Sequence, residues 1–187
     1  MKAPREPQAR PQQRRVLVVG LDRSERDVIV DMTLKGSRKA LPPITRVRLP
    51  RLRTVADISA IGLRRRTFIR QLESLIADKA NVVISGSLVS PTGIGYIPLL
   101  EAEFLARLQP DLVILLETDT RELFYVPGMG IARHKDPQAL EAMRFEQDLN
   151  RHWASRTGSP VAVLRLEKGN AKRTLRELRQ LLVAVMG

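Results

Sequence analysis

The chain has 187 residues and 43% hydrophobic content, enough for one domain with a substantial core and short for two. It has no cysteine and only two histidines, His134 and His152, which excludes disulfide and thiolate chemistry and argues against a zinc centre. The net charge is +12 and uneven: residues 1–70 carry 18 basic and 6 acidic side chains, whereas residues 71–187 carry 14 of each. A surplus confined to one third of the chain creates a local field suited to polyanions, unless it serves thermostability.

In chain order, residues 1–14 (MKAPREPQARPQQR) are Pro-, Gln- and Arg-rich and read as a basic disordered tail. No long apolar stretch follows them, and runs such as Asp111–Leu116 are too short to span a bilayer, so a cytoplasmic location is expected. Arg15–Gly20 (RVLVVG) has the uniform hydrophobicity of a central parallel strand. A helix is predicted over 24–35, with Ser24 as its cap, Val28, Ile29, Met32 and Leu34 facing the core, and Gly36 ending it. Residues 41–54 alternate apolar and basic side chains between prolines, predicting a short edge strand and then an extended basic connector.

The spacing of apolar residues predicts a helix over 55–79, with Arg64, Arg65, Arg66 and Arg70 on or near its exposed side. Residues 81–85 read as a second buried strand, and Ser90–Pro98 as a Gly- and Pro-rich loop. A short helix at 99–108 precedes a strand at 111–116. A long helix at 137–157 is stopped by Gly158. A last strand at 160–166 and an amphipathic helix at 171–186 close the chain. Four or five apolar strands alternating with helices predict an α/β fold: a three-layer parallel sheet of about five strands with helices on both faces. Ligands in such sheets bind outside the carboxyl ends of the strands, so the loops after Gly20, Ser85 and Leu116 are the places to look.

The first of these loops follows a strand ending in glycine and leads into a helix, the setting of a phosphate-binding loop. That mechanism needs two glycines, a Lys and a hydroxyl at fixed spacing. Here Glu25 stands at the second glycine, Arg26 at the lysine and Asp27 at the hydroxyl. Asp22, Glu25 and Asp27 would present carboxylates to a triphosphate, leaving Arg26 as the one suitable group. In Ser90–Pro98, Gly93 and Gly95 allow close backbone approach and Tyr96 offers a ring and a hydroxyl, a combination able to grip a nucleoside monophosphate. Residues 119–136 combine Pro127, Gly128 and Gly130 with Arg133, His134 and Lys135, as a lid over phosphates or an RNA-contacting loop would. Gln147, Asn150 and Arg151 share one helix and can converge on one face. The alternating arginines of 46–53 and the triplet at 64–66 could track a phosphate backbone, with too few aromatics for base stacking.

Several segments together resemble the archaeal type of adenylate kinase, within the P-loop nucleoside-monophosphate kinases. They are Val82–Ser87, Pro91–Pro98, Leu108–Thr118, Arg133–Asp136, Glu146–Arg151 and Thr157–Leu164. The resemblance runs over roughly residues 80–170 and implies a single adenylate-kinase-like domain over 15–187. It implies a monophosphate site at the Pro-Gly-Tyr loop and a lid following Glu117–Thr118. The chain departs from the family in its phosphate loop, and only Arg133 matches the lid's arginines.

Disabled loop and basic surplus together lead to one expectation: a catalytically degenerate pseudoenzyme that binds RNA, on the ribosome or an assembling subunit, without cofactor or metal. Its RNA contacts would be Arg14, Arg15, Arg46, Arg48, Arg51, Arg53, Arg64, Arg65, Arg66 and Arg70. The alternative is an active adenylate or nucleoside-monophosphate kinase with an atypical loop, using ATP and AMP with Mg. Its nucleotide-binding residues would be Gly20, Arg26, Gly93, Tyr96 and Arg133. A binding module for acidic proteins is the third reading.

Overall fold

The computed structural model describes residues 13–20, 23–50, 58–92, 95–118, 137–166 and 171–187. The elements are β1 (Arg14–Gly20), α1 (Arg23–Gly36), β2 (Thr45–Arg48), α2 (Ile58–Ile76), β3 (Asn81–Gly86), β4 (Val89–Thr92), β5 (Gly95–Pro98), α3 (Ala102–Leu108), β6 (Leu112–Thr118), α4 (Pro137–Ser155), β7 (Val161–Leu166) and α5 (Ala171–Met186). Five strands form one sheet in the order β2-β3-β1-β6-β7, and each neighbouring pair is parallel. The architecture is the expected α/β sheet with helices on both faces.

The apolar runs become central strands because both their faces are covered. On one face Leu17, Val19, Val82, Ile84, Val113 and Leu115 meet α2, α3 and α4 through Ile69, Leu72, Phe104, Leu105 and Ala154. On the other, Val16, Val18, Val83, Ile114 and Leu116 meet α1 and α5 through Ile29, Val30, Leu178 and Leu182. Each such leucine or valine contributes about 1.5–3 kcal/mol of transfer free energy.

Three local expectations are corrected. The inward face of α1 is Arg26, Ile29, Val30 and Thr33, a single i, i+3, i+4 stripe that Ser37 continues just past the helix, and Met32 is 51% exposed. Hydrophobicity alone picks Met32, but it lies about 60° beyond Ile29 and about 100° from Thr33 around the helix, outside that stripe. Ser90–Pro98 is no irregular loop: β4 and β5 pair antiparallel, with Pro91 opposite Tyr96 and Thr92 opposite Gly95. A two-stranded ribbon has free edges, so its prolines forfeit no ladder bond they would otherwise need to make. The basic tail was expected to run to residue 14, but Arg14 already belongs to β1; residues 1–12 lie outside the described residues.

Right-handed crossovers place α1 on one face and α2, α3 and α4 on the other. The connection leaving β1 therefore goes to one face and that leaving its neighbour β3 to the other. Their carboxyl ends, Gly20 and Gly86, flank the crevice at which such sheets bind ligands. No described helix is long and apolar enough to cross a membrane.

Candidate functional site at the carboxyl edge of the sheet

Gly20 closes β1 with φ +96°, and a Cβ there would sit 2.2 Å from the carbonyl oxygen of Leu116 on β6. Only glycine satisfies both the left-handed backbone and the close approach. Gly86 ends β3 beneath Leu49, whose Cβ would lie 2.3 Å from an added Cβ. Two glycines thus let the strand ends on either side of the crevice pack without side chains.

Arg26, at the lysine position of the loop pattern, is 4% exposed, and its Nη1 donates to the Gly20 carbonyl at 2.9 Å. Its guanidinium is therefore held at the end of β1, on the first turns of α1, whose N-terminus adds a partial positive charge nearby. Asp27 turns the other way. Its carboxylate accepts from Arg46 Nη2 at 2.9 Å and lies 3.6 Å from Arg48 Nε. Asp31, one turn on, pairs with Arg46 and, at 3.0 Å, with Arg48. Burial, and then the neighbouring Arg48, pulls the Arg46 pKa down, while Asp27 pulls it back up.

On the other side of the crevice α4 organises both β6 and the β4–β5 hairpin. Glu117, buried at the end of β6, holds Arg151 bidentately, with Nε to Oε1 at 2.5 Å and Nη2 to Oε2 at 2.6 Å. That hydrogen bonding raises the Arg151 pKa. Gln147 donates to the Thr118 carbonyl at 3.3 Å. The buried Thr118 hydroxyl has no hydrogen-bond partner among the described residues. Asn150, 2% exposed, accepts from the Leu88 N–H at 2.7 Å, and Ser87 Oγ donates to Glu146 at 2.9 Å. Tyr96 donates to the Ala142 carbonyl at 3.3 Å and sits edge-on to Phe145, centroids 5.3 Å apart. Beyond β6 an open cleft of about 610 Å³, lined by Glu117, Arg151, Val163, Arg165, Arg173 and Glu177, reaches the outer strand β7.

Of the expected nucleotide-binding residues, Gly20 and Arg26 stand together and Tyr96 lies on the hairpin; Gly93 and Arg133 fall outside the described residues. The expected convergence on α4 is more divided than the spacing suggests. Gln147 and Arg151 face β6, and Asn150 faces the hairpin turn. Glu146, Asp27, Asp31 and Ser87 are site residues that sequence reasoning missed as partners, because each is paired across the fold.

The expected RNA-contact arginines form no single track. Arg14 pairs with Asp111 at 3.0 Å, and the Arg15 guanidinium donates to the Leu108 carbonyl, both at the opposite, amino edge of the sheet. Arg46 and Arg48 face α1. Arg65 pairs with Glu101 at 2.9 Å on the far face, where Arg64, Arg66 and Arg70 are exposed on α2. Arg51 and Arg53 lie outside the described residues.

No family model matches the chain. In sequence it is similar to the adenylate kinase of Methanothermobacter thermautotrophicus strain Delta H, 24% identical over 106 residues. The match covers 54% of this chain and 57% of that relative, so the chain spans little more than half of the relative's length. In structure it is similar to the thymidylate kinase of Candida albicans, with a TM-score of 0.55, 13% identity and 92% of each chain covered. Thymidylate kinase from Ehrlichia chaffeensis aligns with a TM-score of 0.49, 12% identity, 92% of this chain and 100% of that one. These likenesses overturn the expectation of an RNA- or ribosome-binding protein, since the proteins that the chain resembles are nucleotide kinases. The chain has the fold of a P-loop nucleoside-monophosphate kinase.

Proposed function

We propose that the chain is a nucleoside-monophosphate kinase, similar to archaeal adenylate kinase, that transfers the γ-phosphoryl group of ATP to AMP through an atypical phosphate loop. The observation that carries this reading is the division of charge at the start of α1. The sequence pattern sets Asp27 at the place of a magnesium-binding hydroxyl, where a carboxylate would repel a triphosphate. In the fold that carboxylate is turned to Arg46 and Arg48, while Arg26 donates to the Gly20 carbonyl. That turn takes one carboxylate away from the end of β1 and leaves a guanidinium on the Gly20 carbonyl, which supports a phosphate-facing role for this corner. Phosphoryl transfer asks a protein mainly for positioning and for cations placed where charge develops.

In this reading magnesium arrives with ATP as part of the substrate. Arg26 and the N-terminus of α1 stabilise phosphate charge, and the hairpin with Tyr96 presents the acceptor monophosphate. Glu117 and Arg151 lock the end of β6 beside them. The test is ADP formation, by a coupled assay, from ATP with each of AMP, dTMP, CMP, UMP and GMP. Turnover with AMP preferred is the expected result. Absence of turnover with all five acceptors, from protein that is folded by circular dichroism, overturns the proposal.

A further inference from the structure

The hairpin β4–β5 has a support problem. Two four-residue strands are marginally stable alone, and no third strand joins them among the described residues. Leu88, Leu99 and Leu100 root its base in the core, and the Leu99 N–H donates to the Leu88 carbonyl at 2.8 Å. Apolar burial fixes how deep the base sits but is non-directional and does not set its orientation. Among the described residues, α4 supplies directional contacts. Asn150 Oδ1 accepts from the Leu88 N–H at 2.7 Å, and its Nδ2 donates to the Glu146 carbonyl at 2.9 Å and to Ser87 Oγ at 3.2 Å. Ser87 in turn donates to the Glu146 carboxylate and accepts from the Val89 N–H at 3.3 Å. One buried amide therefore ties the turn that leads out of β3 to the helix behind it. Ala142, Phe145, Glu146 and Asn150 recur at helical spacing, so a single stripe of α4 holds the whole hairpin.

We propose that Asn150 is the positioning residue for the acceptor side of the site: it sets the orientation of the hairpin that receives the monophosphate, and does not touch the ATP side. The proposal rests on the phosphotransfer reading for the identity of the acceptor. A purely structural role for Asn150 would lower stability and weaken both nucleotides alike. A positioning role moves one Michaelis constant and spares the other.

The test compares full-length protein with Asn150→Leu, which keeps volume and loses the three bonds, and with Ser87→Ala, which keeps the bond to the Leu88 N–H. Initial rates are measured with AMP varied at saturating ATP and the reverse, alongside amide hydrogen exchange over residues 87–98. Asn150→Leu is expected to raise KM for AMP roughly tenfold, the ratio given by about 1.4 kcal/mol. KM for ATP stays within about twofold, and the Leu88 and Val89 amides exchange faster. Ser87→Ala shifts KM for AMP in the same direction by less, and remains informative where Asn150→Leu does not fold. Equal rises in both KM values, or no change for AMP in a folded variant, overturn the proposal. If the wild type turns nothing over, the phosphotransfer reading fails by itself. Calorimetric titration with AMP and with ATP then decides: selective loss of AMP affinity in Asn150→Leu supports the positioning role. Unchanged AMP affinity, or no AMP binding by the wild type, overturns it.

Discussion

Arg26 and Asp27 are adjacent in sequence, oppositely charged, and sent to opposite sides of α1. One helical position, about 100°, separates a guanidinium on the Gly20 carbonyl from a carboxylate on Arg46 and Arg48. Arg46 is largely buried and shared between Asp27 and Asp31, so removing the Asp27 charge leaves it one of its two carboxylates. Asp27→Asn is expected to cost about 1–2 kcal/mol in urea unfolding, the worth of a hydrogen bond to a charged group. Asp27→Leu combined with Arg46→Met is expected to recover most of that loss, because an apolar pair needs no desolvation of charge. A double variant no more stable than Asp27→Asn would show that the ion pairs, and not an exposed charge, hold this corner. Gly20 is the other decisive residue. Gly20→Ala meets both a positive φ and the Leu116 carbonyl, and a loss of about 3 kcal/mol or more is expected. A loss below about 1 kcal/mol would mean that β1 and β6 separate easily at this end.

Among the elements, the buried strands were the most legible. Val16–Val19 and Leu112–Leu116 are covered on both faces, and unbroken hydrophobicity has few other uses in a chain of this size. Helix α1 was legible in extent but not in phase. Met32 is as hydrophobic as its neighbours, and nothing local announces that Thr33 and Ser37 turn inward and donate to the Ile29 and Thr33 carbonyls. This has a measurable consequence: Ile29→Ala is expected to cost about 3 kcal/mol, and Met32→Ala to stay within about 0.5 kcal/mol. Comparable losses at the two positions would contradict the observed phase. The β4–β5 hairpin was hidden by its prolines and glycines, which read as loop wherever no third strand is required.

At the scale of the whole molecule, the basic surplus of residues 1–70 misled because pairing is not visible along a sequence. Arg65 lies 36 residues from Glu101 and Arg14 lies 97 from Asp111, so these pairs join the basic segment to acids outside it. Such pairs bring outside carboxylates to the basic segment, so a count by segment overstates the local surplus. The same long-range pairing removes the Asp27 carboxylate from a loop whose sequence seemed hostile to phosphate. What the sequence did carry was the order of its motifs from β3 to β7, which follows the carboxyl edge of the sheet from the hairpin to α4.

The central claim is phosphoryl transfer at that edge with Arg26 as its cation. Its most direct measurement is phosphorus NMR of ATP and AMP mixed with magnesium and the protein, run beside Arg26→Ala. ADP resonances are expected to grow at the expense of ATP and AMP together, with a loss of about a hundredfold in rate for the variant. ATP and AMP unchanged with the wild type, or ADP formed equally fast by Arg26→Ala, would contradict it.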